Sequence, residues 1–241
     1  MKLNCDLGES FGNWTLGLDA QAMPFVDQAN IACGFHAGDP LIMHKTLLLA
    51  KKHGVSIGAH PSYPDLVGFG RRSMNCSPEE IIAFVTYQVA AIDGMAKSLG
   101  LELEYVKPHG ALYNDMMVDE TILEAILTAL SIYPKALKLM LQSTSELEIH
   151  KAQAKKIGVE VLAEAFADRC YDDDGKLLSR TQNGAVLDKV KMLAQVKQLT
   201  EQGSVTTISG KTLALTVDSL CVHGDNIEAV KAIQAIRELI D

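Results

Sequence analysis

Short apolar runs that give way to Gly/Pro-rich turns carrying a titratable residue recur from one end of this chain to the other. Asp6, His36, His60, His109 and His223 stand at such junctions, in NCDLGESFG, ANIACGFHAGDP, IGAHPSYPDLVGFGRR, VKPHGALYN and CVHGDN. Between them lie longer stretches with helical period. Alternating strand and helix implies a parallel sheet. Polar residues at the ends of many successive strands are what an α/β barrel uses to assemble one site from distant segments. A doubly wound open sheet would gather its motifs at one crevice. A closed barrel and an enzyme are therefore expected.

Seven strands are expected, over Lys2–Leu7, Phe25–Ala32, Val55–His60, Leu103–His109, Ala136–Leu141, Glu160–Phe166 and Leu215–His223. Asp39 and Pro40 supply an N-cap and a first-turn proline for a helix over Pro40–His53. Ser77-Pro78-Glu79-Glu80 is a capping box for a helix reaching Leu99. Further helices are expected over Glu120–Ser131, Glu146–Ile157, Ala185–Glu201 and Asn226–Ile240. In the last, Ile227, Val230, Ile233, Ile236, Leu239 and Ile240 fall on one face. Val205–Ile208 and Lys211–Leu215, around Ser209-Gly210, read as a hairpin feeding the last strand. With 241 residues and no linker-like tract, the chain is expected to form one barrel domain over residues 1–241.

The net charge of −8 and the lack of a basic stripe argue against nucleic acid and anionic membrane as partners. The densest apolar stretch, Ile122 to Leu141, is interrupted by Glu124, Pro134, Lys135 and Lys138, so no membrane span is expected. MKLNCDLGES is too polar for a signal peptide. Five irregularly spaced cysteines read as free thiols in a reducing compartment, and a cytoplasmic location is the expectation.

Strand alternation sorts the polar residues. Asp6, Asn30, His60, Lys107, His109, Glu164 and His223 fall on the inner face or at the mouth. Glu9, His36, Asp39, Arg71, Arg72, Asp168, Arg169 and Asp225 fall on the adjoining loops. So many charges need partners, because an unpaired charge in a dry pocket costs several kcal/mol. Blander readings suffice elsewhere: His44, His53 and His150 as surface or capping residues, Asp172-Asp173-Asp174-Gly175 as a solvated turn, and Cys5, Cys33 and Cys221 as buried thiols. Asp39 and Asp225 each suit an N-cap, where free N–H groups would also meet an anion. Trp14 suits a lid or simple packing. GSVTTISGKT, residues 203–212, is no P-loop, since Val205 occupies the position of its first glycine.

The strings NIACGFHAGDP, GAHPSYPDLVGFGRR, YVKPHGALYN and EAFADRCY resemble the LamB/YcsF family, and the resemblance covers nearly the whole chain. It implies a seven-stranded TIM-like (β/α)7 barrel of the glycoside hydrolase/deacetylase type. It also implies a 5-oxoprolinase activity, the ATP-driven opening of 5-oxo-L-proline to L-glutamate, exercised with two partner subunits. On that reading Asp6, His60, Lys107, His109 and Glu164 are catalytic. Asp6 with His60 or His109 forms the acid/base group, and Lys107 stabilises an oxyanion or phosphate. Glu9, Asn30, His36, Asp39, Arg71, Arg72, Arg169, His223 and Asp225 would bind substrate, with Arg71 or Arg72 on a carboxylate or phosphate. ATP, with its Mg, would be bound mainly by partners. A divalent metal in the barrel is a further option, with Asp6, His60 and His109 the first candidates and His36, Glu164 and His223 also suitable ligand types. The sequence leaves room for a homo-oligomer. Two other readings stand beside this one: a metal-dependent deacetylase or amidohydrolase acting alone, and a non-catalytic substrate-binding subunit.

Overall fold

The computed structural model describes residues 1–180, 182–224 and 226–241. Its strands are β1 (Lys2–Leu7), β2 (Gln28–Ala32), β3 (Ser56–His60), β4 (Leu103–Val106), β5 (Lys138–Gln142), β6 (Val161–Phe166), β7 (Ser204–Thr206), β8 (Thr212–Ala214) and β9 (Ser219–Val222). Its helices are α1 (Asp19–Ala22), α2 (Pro40–His53), α3 (Pro78–Ser98), α4 (Gly110–Met116), α5 (Glu120–Ser131), α6 (Leu147–Lys156), α7 (Lys189–Gln202) and α8 (Ile227–Ile240). Strands β1 to β6 and β9 close in that order into a barrel, every neighbouring pair parallel. This is the seven-stranded TIM-like barrel expected from the alternation of elements. Strands β7 and β8 form the expected antiparallel hairpin, with Gly210 at φ 88° in its turn.

The helix starts follow their local chemistry. Asp39 accepts from the N–H groups of Leu41 and Ile42, and Ser77 exchanges bonds with Glu80 in a complete capping box. Helix α5 packs on α3 and buries Leu123, Ile126, Leu127 and Leu130. Each such side chain contributes about 1.5–3 kcal/mol. In α8 the stripe holds at Val230, Ile233 and Ile236, whereas Ile227 is 54% exposed at the helix start.

Several boundaries differ from expectation for identifiable reasons. Phe25 belongs to a 3₁₀ turn over Met23–Phe25, set by Pro24, so β2 begins only at Gln28. Strand β4 stops at Val106, two residues before Pro108, which has no N–H to continue a ladder. Lys107 N and His109 N still donate to Ala59 O and Pro61 O, at 2.9 and 2.8 Å, so the inward direction of both side chains survives. Helix α7 starts after Asp188, whose carboxylate caps Lys191 N, and not at Ala185. Helices α1 and α4 are too short to show a period and were not expected. His150, expected as a surface or capping residue, is buried within α6.

Register places Asp6, Asn30, Gly58 and Tyr105 side by side across β1 to β4. This layer is polar and hydrogen-bonded: Tyr105 donates to Asn30 Oδ1, and Asn30 donates to Asn4 and Asp6, all within 2.7–2.8 Å. Gly58 makes room for the ring, because a Cβ there would lie 2.2 Å from Tyr105 Cε2. Among the described residues, no helix is long and apolar enough to cross a membrane.

Candidate active site

At the carboxyl ends of the strands the polar layer rises to Lys107, the residue just beyond β4. Its ammonium stands 2.8 Å from Asp6 Oδ1, 2.8 Å from Glu164 Oε1, 3.1 Å from Cys221 Sγ and 3.4 Å from Asn4 Oδ1. Burial disfavours charge on both Lys107 and Asp6, yet their attraction outweighs it. Asp6 chiefly holds Lys107 well above the usual lysine range, and Lys107, followed by His60, holds Asp6 well below the usual carboxylate range. Tyr113, on α4, donates to the other oxygen of Glu164 at 2.7 Å. The cation is thus fixed from three strands and steadied by a short helix.

Beside Asp6 stand three imidazoles and a carboxylate, all buried. His60 Nε2 lies 3.5 Å from Asp6 Oδ2 and 3.0 Å from His109 Nδ1. Glu9 Oε1 lies 3.4 Å from His36 Nε2 and 3.6 Å from His109 Nδ1. The rings of His36 and His109 stack with centroids 3.7 Å apart. Burial, followed by the neighbouring imidazoles, holds both His36 and His109 well below the ordinary histidine value. The loop after β3 fixes this group: Phe69, at φ 54°, turns its carbonyl onto His109 Nε2 at 2.9 Å. Gly70 follows at φ 64°, where a Cβ would strike His36 and His109. A non-glycine residue in that region carries about 1–3 kcal/mol of strain, a cost that accumulates at functional sites. Glu9, His36, His60 and His109 form a His/Glu group able to hold a divalent metal, their ligand atoms lying within 4.8 Å of one another. Asp6, Cys221 and His223 form a second group by the same measure.

Above these residues opens a cavity of about 520 Å³ lined by Asp6, His60, Lys107, His109 and His223. Its outer wall carries Arg71, Arg169, Lys176 and Arg180. Arg169 donates to the carbonyls of Ala185 and Leu178, and burial, reinforced by Arg180, pulls it down to about 10. On the opposite side His223 Nδ1 bonds Asp168 Oδ1 at 2.9 Å, and Asn226 donates to the other oxygen at 2.8 Å. Burial opposes ionisation of Asp168, but His223 and Asn226 hold it below the usual value. A buried carboxylate that orients an imidazole bordering a cavity is an arrangement suited to general acid/base work.

The inner-face residues expected from alternation do come together. Asp6, His60, Lys107, His109 and His223 reach the cavity, while Asn30 and Glu164 lie beneath it as fully buried supports. Glu9 and His36 join the imidazole group, and Arg71 and Arg169 line the wall. Two residues are placed elsewhere. Arg72 turns outward onto Asp65 with its side chain 66% exposed. Asp39 caps α2 and also accepts from Gly12 N at 2.7 Å, away from the cavity. Asp225 lies outside the described residues. Asn4, Tyr105, Tyr113, Gln142 and Cys221 were not singled out as site residues. Alternation from Asp6 and Lys107 points to Asn4 and Tyr105, whereas nothing in the local pattern points to Tyr113.

The residue pattern and this geometry have counterparts among known proteins. The whole chain, residues 1–241, matches the LamB/YcsF family. It is 53% identical to a protein from Pseudomonas putida named as a 5-oxoprolinase subunit, over 99% of this chain and 93% of that one. It is 48% identical to a Vibrio cholerae protein likewise named as a 5-oxoprolinase subunit, over 100% of this chain and 98% of the other. A crystal structure described as lactam utilization protein from Thermus thermophilus superposes with a TM-score of 0.90 at 38% identity, covering 100% of this chain and 95% of that one.

Proposed function

The chain belongs to the LamB/YcsF family, and from that premise we propose that it is the barrel component of an ATP-dependent 5-oxoprolinase. The enzyme opens the lactam of 5-oxo-L-proline to L-glutamate, in the cytoplasm and together with two partner subunits. The supporting observation is a buried lysine, three imidazoles and a carboxylate around one cavity, in a chain half identical to proteins named as 5-oxoprolinase subunits. The cavity's size falls within the range of small-molecule sites, about 300–1,000 Å³.

A lactam carbonyl is stabilised by amide resonance and resists water. Transfer of the ATP γ-phosphoryl group to the carbonyl oxygen makes the ring carbon electrophilic. Water then adds, the C–N bond breaks as its nitrogen takes up a proton, and a second water releases phosphate from the acyl phosphate. Lys107 stabilises the negative oxygen during addition. His60 and His109, beside Asp6, or His223, oriented by Asp168, handle the protons. Arg71 holds the substrate carboxylate or the phosphate. Residues 203–212 run from the cap of α7 through β7 and its turn to the start of β8, so ATP and its Mg are assigned mainly to the partners.

The test is glutamate formation from 5-oxoproline and ATP, with and without co-expressed partner subunits. Turnover that requires all subunits and is lost in His109→Ala supports this assignment; wild-type turnover in that variant overturns it. The buried His/Glu group favours a second reading, a metal-dependent amidohydrolase. Amide hydrolysis by this chain alone, without ATP, would select it.

A further inference from the structure

We propose that His60, His109 and Glu9 bind one divalent transition-metal ion at the barrel rim. The inference comes from counting protons on the three rings; with the ion bound, the proton transfers of the proposed reaction fall to His223, oriented by Asp168. A carbonyl oxygen only accepts, so a ring nitrogen bonded to one carries the hydrogen. His60 Nδ1 is 2.6 Å from Lys107 O, and His109 Nε2 is 2.9 Å from Phe69 O. His36 Nδ1 is 3.1 Å from Ser62 Oγ, whose own hydrogen goes to Tyr63 O at 2.8 Å. Each ring therefore has its proton on the side turned away from its neighbours. His60 Nε2, His109 Nδ1 and His36 Nε2 present bare lone pairs, and Glu9 adds a carboxylate oxygen.

Two lone pairs facing at 3.0 Å repel unless a cation lies between them. A shared proton would serve that one contact, whereas Glu9 Oε1 also faces His109 Nδ1, at 3.6 Å. A divalent ion would serve His60, His109 and Glu9 together. Ligands about 2.0–2.1 Å from a tetrahedral ion lie roughly 3.3 Å from one another. The contacts that His109 Nδ1 makes with His60 Nε2 and Glu9 Oε1, 3.0 and 3.6 Å, bracket that spacing. Anchoring the second ring nitrogen on a carbonyl or hydroxyl is also how metal-binding histidines are held. The His36 and His109 rings lie in parallel planes, so one ion cannot sit in both. The ligand set is therefore His60, His109 and Glu9, with His36 stacked on His109 beside it. Imidazole-rich donors with one carboxylate suit zinc, iron(II), cobalt or nickel better than magnesium or calcium. An ion there would supply a Lewis acid at the cavity wall.

The test is titration of chelator-stripped protein with zinc by calorimetry and with cobalt by visible absorption. One ion per chain and the strong absorption of low-symmetry cobalt are expected. His60→Ala, His109→Ala and Glu9→Gln should each weaken binding by at least about tenfold, while His150→Ala leaves it unchanged. Nitrogen-15 NMR of the wild-type imidazoles supplies a reading that needs no variant: the lone-pair nitrogens of His60 and His109 should shift with one equivalent of zinc. Absence of saturable binding, equal binding in all variants, or a His60–His109 proton that persists in the presence of zinc would overturn the proposal.

Discussion

Lys107 Nζ lies 2.8 Å from Asp6 Oδ1 although 101 residues separate them in sequence. The contact joins the first barrel strand to the end of the fourth, and Glu164 extends it to the sixth at 2.8 Å. Removing the lysine would leave two buried carboxylates sharing a low-dielectric space. Lys107→Met is therefore expected to destabilise the protein by about 3–5 kcal/mol, measured by urea denaturation. Adding Glu164→Gln should recover part of the stability and none of the turnover. Full stability in the single variant would show that the network does not hold the fold.

The same pair fixes the pH dependence of stability. Asp6 is held low, so its contribution is present above the unfolded value, about 3.9, and is lost as pH falls through its folded value. Lys107 is held high, so its contribution is present below about 10.4 and is lost as pH rises through its folded value. Stability from this pair should form a plateau between those limits and fall outside them. Asp6→Asn should flatten the acid limb when denaturation midpoints are followed against pH. An unchanged acid limb would remove Asp6 from the account.

The barrel and the inner set were legible because strand period fixes which side chains share a face. Asp6, Asn30, Lys107 and Glu164 each followed from a parity count along one strand. Residues whose roles depend on where a loop folds back were not legible in this way. Arg71 and Arg72 are adjacent, yet the turn through Phe69 and Gly70 sends one to the cavity and the other to Asp65. Tyr113 reaches Glu164 from a helix of seven residues, too short to announce itself by period. The N-cap at Asp39 was readable, but an N-cap signal does not distinguish a solvated helix start from one aimed into a site.

Gly58 is a steric test of the polar layer. A methyl group at this position meets the Tyr105 ring, and Tyr105 anchors Asn30, which in turn holds Asp6. Gly58→Ala should cost about 1–3 kcal/mol, as other overpacked cores do. Tyr105→Phe, which loses one hydrogen bond, should cost about 1 kcal/mol. Thermal denaturation of the two variants would check the order. Gly58→Ala being the milder change would mean that the layer yields more readily than its contacts indicate.

The two adjacent arginines separate recognition of an anionic substrate from general surface charge. Arg71→Ala should raise the KM for 5-oxoproline at least about tenfold, the value of one charge-assisted contact. Arg72→Ala should leave KM unchanged and affect only the loop that Asp65 ties down. Steady-state kinetics of the assembled enzyme distinguishes them. Equal KM effects would place the anion nearer the loop than the cavity.

Asp168 and His223 carry the last prediction. Asp168 touches no cavity space of its own; it accepts from His223 Nδ1 and Asn226 Nδ2 and so fixes the ring whose other edge borders the cavity. In Asp168→Asn the amide can offer an N–H to the ring, favouring the tautomer with its proton toward the cavity. If the wild-type dyad acts as a general base, kcat should fall by about 10²–10⁴-fold with KM nearly constant, and the slope of kcat on the acid side of its pH profile should change. A rise in KM without loss of kcat would instead make His223 a substrate contact, and Asp168 its support.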